Sequence, residues 1–309
     1  MDFEKKFNIG LTLDTNIREF DEFLERYHRY IKSVYFSLPL GWRFHTRLVI
    51  AGQLLLPHKK KLFWQMLNKL QEYCIELELF FNTIFLNDRL IEKASNLLAK
   101  HNVSVDSVCF LGKYYQAVTK WFPGKKYIWS FNNGLRSTTE FDEAIANYQI
   151  DTVVLGSNFI RNNAFFRHVK ELGKEVILLL NNGCSFNCAT CNNTASSCQG
   201  AFDNNLTKHS VEYLYALQSI FPDELYDGTI DVDHVDCFKL SNRGNKLAFT
   251  QNAMDSYINR QVRCYLAKDC KSYAYWGRAG FFWKYFSTMD LDKIVEYKHE
   301  ILHHPLDVN

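Results

Sequence analysis

The sequence predicts an α/β fold: a (β/α)8 TIM-type barrel with a C-terminal helical, aromatic-rich extension. Three observations predict it. Short apolar segments alternate with amphipathic ones, which is the rhythm of parallel βαβ units. Eight such segments recur at a mean spacing of about 30 residues, the repeat of a closed barrel. The first is followed by Asp14-Thr15-Asn16, whereas an open doubly wound sheet usually carries a glycine-rich phosphate loop there.

The strand segments are 8–14, 33–37, 75–83, 107–110, 127–132, 152–155, 176–181 and 235–240. Between the first two, Phe20, Phe23, Leu24 and Tyr27 share one helical face. Phe63, Met66, Leu67 and Leu70 repeat that pattern, as do Leu90, Ile91, Ala94, Leu97 and Leu98. Shorter stripes are Ala144, Ile145 and Tyr148, then Val211, Leu214 and Leu217. Thr138 or Thr139, ahead of Glu140 and Glu143, reads as a helix start with carboxylates in the first turn. The barrel is expected over residues 1–249 and the extension over 250–309, with a last helix at Leu291–His303.

Composition narrows the class of protein. Of 309 residues, 47% are hydrophobic, enough for a large core and too many for a disordered chain. With 36 basic against 34 acidic residues the formal net charge is +2, so charge does not indicate a nucleic-acid partner. The start, Met1-Asp2-Phe3-Glu4-Lys5-Lys6, has no apolar h-region, and no apolar run reaches the roughly 18–20 residues of a membrane span. A cytoplasmic protein without a membrane span is expected.

Nine cysteines then need an account, and an odd count in a reducing compartment argues against a disulfide framework. Cys74, Cys109, Cys264 and Cys270 sit among apolar or aromatic neighbours and read as core or half-buried thiols. Cys184, Cys188, Cys191 and Cys198 fall in one short segment after the seventh strand and an Asn181-Asn182-Gly183 turn. Loops after barrel strands build the functional face. Thiolates in a C-x3-C-x2-C run converge on one soft-metal centre, best matched by a 4Fe–4S cluster. Zinc more often takes two separated C-x2-C pairs or nearby histidines. A fourth ligand is either Cys198, within easy loop reach, or Cys237 on the adjacent eighth strand.

Other groups carry weaker signals. Lys239 and Arg243 close the eighth strand, where they can hold an anion or balance a cluster's charge, or pair with a carboxylate. Asp231, Asp233, His234 and Asp236 offer a hard-metal set that reads more simply as a solvated loop. His58-Lys59-Lys60-Lys61 reads as a solvated helix start, and Arg43, His45 and Arg47 follow the second strand toward the functional face. His303 and His304 read as surface residues. Tyr273-Ala274-Tyr275-Trp276 and the aromatic run at 281–286 read as packing, with base stacking or cofactor cover as the other option. No nucleophile elbow, Walker loop, zincin motif or kinase signature occurs.

C-x3-C-x2-C is also the spacing of the radical S-adenosylmethionine enzymes. There the motif normally follows the first strand and has an aromatic residue before the last cysteine, where this chain has Thr190. The chain also resembles the collagenase-like peptidase family of iron–sulfur barrels, which includes oxygen-independent hydroxylation proteins. Leu180-Asn181-Asn182-Gly183-Cys184 and Val235-Asp236-Cys237-Phe238-Lys239-Leu240-Ser241-Asn242-Arg243 carry that resemblance, with Trp129-Ser130-Phe131-Asn132 as the fifth strand and Thr152-Val153-Val154-Leu155-Gly156-Ser157 as the sixth. The family's Glu-Gly is Ser241-Asn242 here, and its cysteine spacing is usually wider. The resemblance implies redox or oxygen-independent hydroxylation chemistry, a cluster fed by an electron donor or partner protein, and Lys239 and Arg243 positioning the substrate or tuning the cluster. The radical-enzyme resemblance implies S-adenosylmethionine on a three-thiolate cluster, and a non-enzymatic scaffold with a structural cluster or zinc is the third reading.

Overall fold

The structure, a computed structural model, describes residues 1–41, 54, 56–81, 83, 85–135, 137–156, 159–181, 216, 219–240, 247–261 and 291–303. Eight parallel strands close on themselves in sequence order. They are β1 (Phe7–Gly10), β2 (Ile31–Phe36), β3 (Glu76–Phe81), β4 (Ser107–Phe110), β5 (Lys126–Trp129), β6 (Thr152–Leu155), β7 (Glu175–Leu179) and β8 (Cys237–Leu240). All eight expected strands are present, and the fourth and sixth match residue for residue. The helices are α1 (Ile17–Tyr27), α2 (Pro57–Glu72), α3 (Asp88–Lys100), α4 (Tyr115–Trp121), α5 (Thr138–Asn147), α6 (Asn163–Glu171), α7 (Leu247–Ile258) and α8 (Leu291–His303).

The helical stripes read from periodicity are the buried faces. Phe20, Phe23, Leu24 and Tyr27 of α1 are buried, as are Phe63, Met66, Leu67 and Leu70 of α2. The start of α5 differs by one residue from the expectation. Ser137 is the cap, its Oγ accepting the Glu140 amide at 3.2 Å, and Thr138 is already helical. A serine hydroxyl in extended backbone satisfies an orphan first-turn amide, so the cap lies one residue earlier than either threonine. α7 runs across residue 249, where the expected barrel boundary falls, and buries Leu247, Phe249, Met254 and Tyr257. Residues 211, 214 and 217 of the last expected stripe lie outside the described residues.

Side chains alternate between two cores, as a strand's period of two dictates. Outward residues such as Val34, Leu79, Phe110, Trp129, Val153 and Leu178 pack against the helices in the main cluster. Inward residues Tyr35, Phe80, Cys109, Ile128, Val154, Ile177 and Cys237, one from each of β2 to β8, form a separate layer inside the barrel. The matching place on β1 is Gly10, paired with Tyr35. Tyr35 stacks on Phe80 at 4.9 Å between centroids and donates through its hydroxyl to the Leu240 carbonyl at 2.7 Å.

One cysteine departs from expectation. Cys109 is buried in the interior layer, but Cys74 is exposed, in a left-handed turn (φ 52°) between α2 and β3. Its apolar neighbours enter the core while the turn itself points to water. No helix among the described residues is long and apolar enough to cross a membrane.

Candidate functional site

The C-terminal ends of β7 and β8 position the site. β7 is the strand from which the cysteine segment departs, as the sequence predicts. Beyond it, Asn181 makes an antiparallel bridge to Ser219, and the Ile220 amide donates to the Leu180 carbonyl at 2.8 Å. The described residues on either side of the cysteine segment are therefore joined at one point, a neck closed by backbone hydrogen bonds. Cys184, Cys188, Cys191 and Cys198 lie in the excursion between, outside the described residues, and so do Arg243, Arg43, His45, Arg47, Cys264, Cys270, His304 and the aromatic runs at 273–286.

Behind the neck is a buried ionic cluster. Arg161, between β6 and α6, donates from Nε to Glu224 Oε1 at 2.6 Å and from Nη2 to the Ser219 carbonyl at 2.6 Å. The other oxygen of Glu224 accepts the Phe221 amide at 2.6 Å and stands 3.2 Å from Lys298 Nζ on α8. Lys298 also donates to the carbonyls of Ala216 and Ser219 and lies over the Phe221 ring. Burial raises the carboxyl pKa of Glu224, but Lys298 and Arg161 more than offset this and hold it below the usual range. Burial and then the Arg161 charge pull Lys298 down to about 7 against the opposing pull of Glu224.

Lys239 is paired with a carboxylate, Glu78, inside the barrel. It is 5% exposed inside the barrel. Its Nζ donates to Asn8 Oδ1 at 2.6 Å and Glu78 Oε1 at 3.1 Å, and lies 3.8 Å from the Tyr35 ring centroid. Asn8 in turn donates to Glu78 Oε2 at 2.8 Å and to Ser33 Oγ at 2.6 Å. The network joins β1, β2, β3 and β8 across the barrel. Glu78 and Asn8 were not singled out from the sequence, though Glu76-Leu77-Glu78-Leu79 alternates charge with Leu, and a strand with Leu against the helices must turn its glutamates inward.

Cys237 is wholly buried one pleat deeper than Lys239, paired with Ile177. Burial pushes its thiol up to about 12, with Lys32 opposing. Its side chain belongs to the interior layer with Tyr35, Phe80, Cys109, Ile128, Val154 and Ile177. The acidic run before β8 is committed elsewhere. Asp231 accepts from Arg167 and pairs with His234, both at 2.9 Å, while Asp236 accepts from Lys170 at 2.7 Å and from the Val176 amide at 2.8 Å. His58, Lys60 and Lys61 are exposed, as a solvated helix start requires, and Lys59 donates to the Leu13 carbonyl at 2.5 Å. His303 ends α8. No group of three metal-ligating side chains occurs among the described residues.

The opposite end of the barrel is also charged. Glu175 bridges Lys126 (2.5 Å) and Lys32 (3.3 Å). Lys32 has no partner in the β1–β2 register, which shifts by one residue there. An open depression of about 460 Å³ lies at this N-terminal end, between Lys126, Asp151 and Glu175, remote from the neck.

Comparison with known proteins adds similarity to other barrels. No protein-family model matches the chain, and no curated protein does. Similar solved structures include a U32 peptidase at 10% identity and TM-score 0.49, covering 78% of this chain and 94% of that one. The N-acetylneuraminate lyase of Proteus mirabilis is similar at 11% identity and TM-score 0.43, over 99% and 90%. The carboxyl transferase domain of Rhizobium etli pyruvate carboxylase is similar at 10% identity and TM-score 0.42, over 90% and 49%.

Proposed function

We propose that this chain binds a 4Fe–4S cluster through Cys184, Cys188, Cys191 and Cys198 and serves as an iron–sulfur-dependent oxidoreductase, of the oxygen-independent hydroxylation type. The observation that carries this reading is the exit of the C-x3-C-x2-C segment from the C-terminal end of the seventh strand, three residues beyond Asn181. That is the barrel face on which active sites are built.

The donor set fits the group: four thiols on one segment are soft ligands suited to iron and sulfide. The burial of Cys237 within the interior layer of the barrel supports Cys198 as the fourth ligand. When bound, the cluster supplies one-electron transfer. The chain's own residues bring the neck and the β8 end side by side, since the Leu180 amide donates to the Lys239 carbonyl at 3.0 Å. With its ammonium committed to Glu78 and Asn8, Lys239 sets that end in place as a positioning residue. The substrate-facing role then falls to Arg243.

The test is iron, sulfide and zinc content of anaerobically purified protein, with spectra before and after dithionite. About four iron and four sulfide per chain, bleaching on reduction, is the expected result. Cys198→Ala should abolish that content and Cys237→Ala should preserve it. Zinc alone, or no metal, would overturn the reading. Survival of the cluster in both variants, with a spectrum perturbed by S-adenosylmethionine, would replace it with the three-thiolate radical class.

A further inference from the structure

We propose that the C-terminal helix α8 is a strap that locks the neck of the cysteine excursion onto the barrel, with Lys298 as its bolt. The proposal rests on the described residues of the neck and does not depend on whether the thiols hold a cluster. Lys298 reaches from α8 to the carbonyls of Ala216 and Ser219, on the returning side of the neck. Ser219 is the residue that bridges Asn181. Its carbonyl also takes the Arg161 guanidinium, and Glu224 joins both cations. One helix far along the chain thus completes the hydrogen bonding of the point where the excursion returns. Val295 and Tyr297 of α8 pack half-buried on the main core, so the helix is seated by its own apolar face as well.

The cluster is built to be undone locally. Among the described residues Arg161 and Lys298 both pair with Glu224, and Lys298 also lies over the Phe221 ring face. Three charged groups are costly to bury together. Protonating Lys298 brings a second cation beside Arg161 in a buried place, and burial and that neighbouring charge both oppose it. An undocked lysine titrates near 10.5 and the docked one near 7, so docking is weakest below about pH 7 and strengthens as pH rises toward 10.5.

The test is amide hydrogen exchange on the full chain, comparing wild type with Lys298→Met, which keeps the apolar stem and removes the ammonium. Peptides covering Asn181 and 219–225 should exchange about tenfold faster or more in the variant, while β4 to β6 keep their protection. Unchanged protection at the neck would overturn the proposal, and so would an equal loss throughout the barrel, which would make Lys298 a general stability residue. Should the variant fail to fold, wild type alone decides. After correction for intrinsic exchange, neck protection should rise about tenfold or more between about pH 6.5 and 8.5. A flat profile would overturn the strap.

Discussion

Lys239 and Lys298 are both buried, but their surroundings differ in charge balance and in place. Lys239 sits inside the closed barrel, with one carboxylate, one amide and two aromatic faces around one ammonium. Lys298 sits on an outer seam, where two cations share one carboxylate. The first arrangement is charge-neutral and crosses four strands, so it cannot open without opening the barrel. The second joins α8 to Arg161 and to the returning segment around Ser219 and Glu224 without crossing the barrel strands, so it can open alone. Burial by itself therefore does not separate a permanent strut from a joint. The count of opposing charges and the number of elements spanned do.

The largest expected effect tests the strut. Glu78→Leu leaves Lys239 charged and unbalanced in the interior and should cost about 3–5 kcal/mol in denaturant unfolding. Adding Lys239→Met to it should recover most of that loss, since a matched apolar pair carries no stranded charge. A loss under about 1 kcal/mol for Glu78→Leu would place Lys239 among solvated groups and break the comparison.

A smaller effect is expected at the joint. Glu224→Gln strands Arg161 and Lys298 together, yet α8 can undock and rehydrate both. The global cost should stop near about 2 kcal/mol, with new proteolytic cleavage at α8 and the neck and none in the barrel strands. A cost equal to that of Glu78→Leu would show the seam to be as rigid as the barrel interior. Smallest is Ser137→Ala, remote from both sites. It removes the α5 cap and should cost about 1 kcal/mol in the same unfolding experiment, calibrating the other two.

The frame was legible from the sequence because its signals are local. Period-two runs such as Val153 and Leu155 outward, Thr152 and Val154 inward, mark a strand without knowledge of any partner. The cysteine excursion was legible for the same reason, as four thiols within fifteen positions. The ionic networks were not. Glu78 and Lys239 are 161 residues apart, and Glu78 and Asn8 are 70 apart, so only barrel closure brings them together. Arg161 lies between β6 and α6, Glu224 in the turn before β8 and Lys298 on α8, and nothing near any one of them signals the other two. The sequence does not decide the role of Lys239, because a strand-end lysine looks the same whether it faces a ligand or a glutamate on the far wall.

The bridge between Asn181 and Ser219 has an implication for how this chain is put together. Residues directly opposite in an antiparallel pair stand about 4.5–5.5 Å apart, a gap that a turn of two or three residues spans. The excursion is thus a cassette: its two ends form a socket that the barrel supplies ready-made. Because the bridge sets the spacing of the two ends, a change in the length of the segment between them need not alter the strand register on either side.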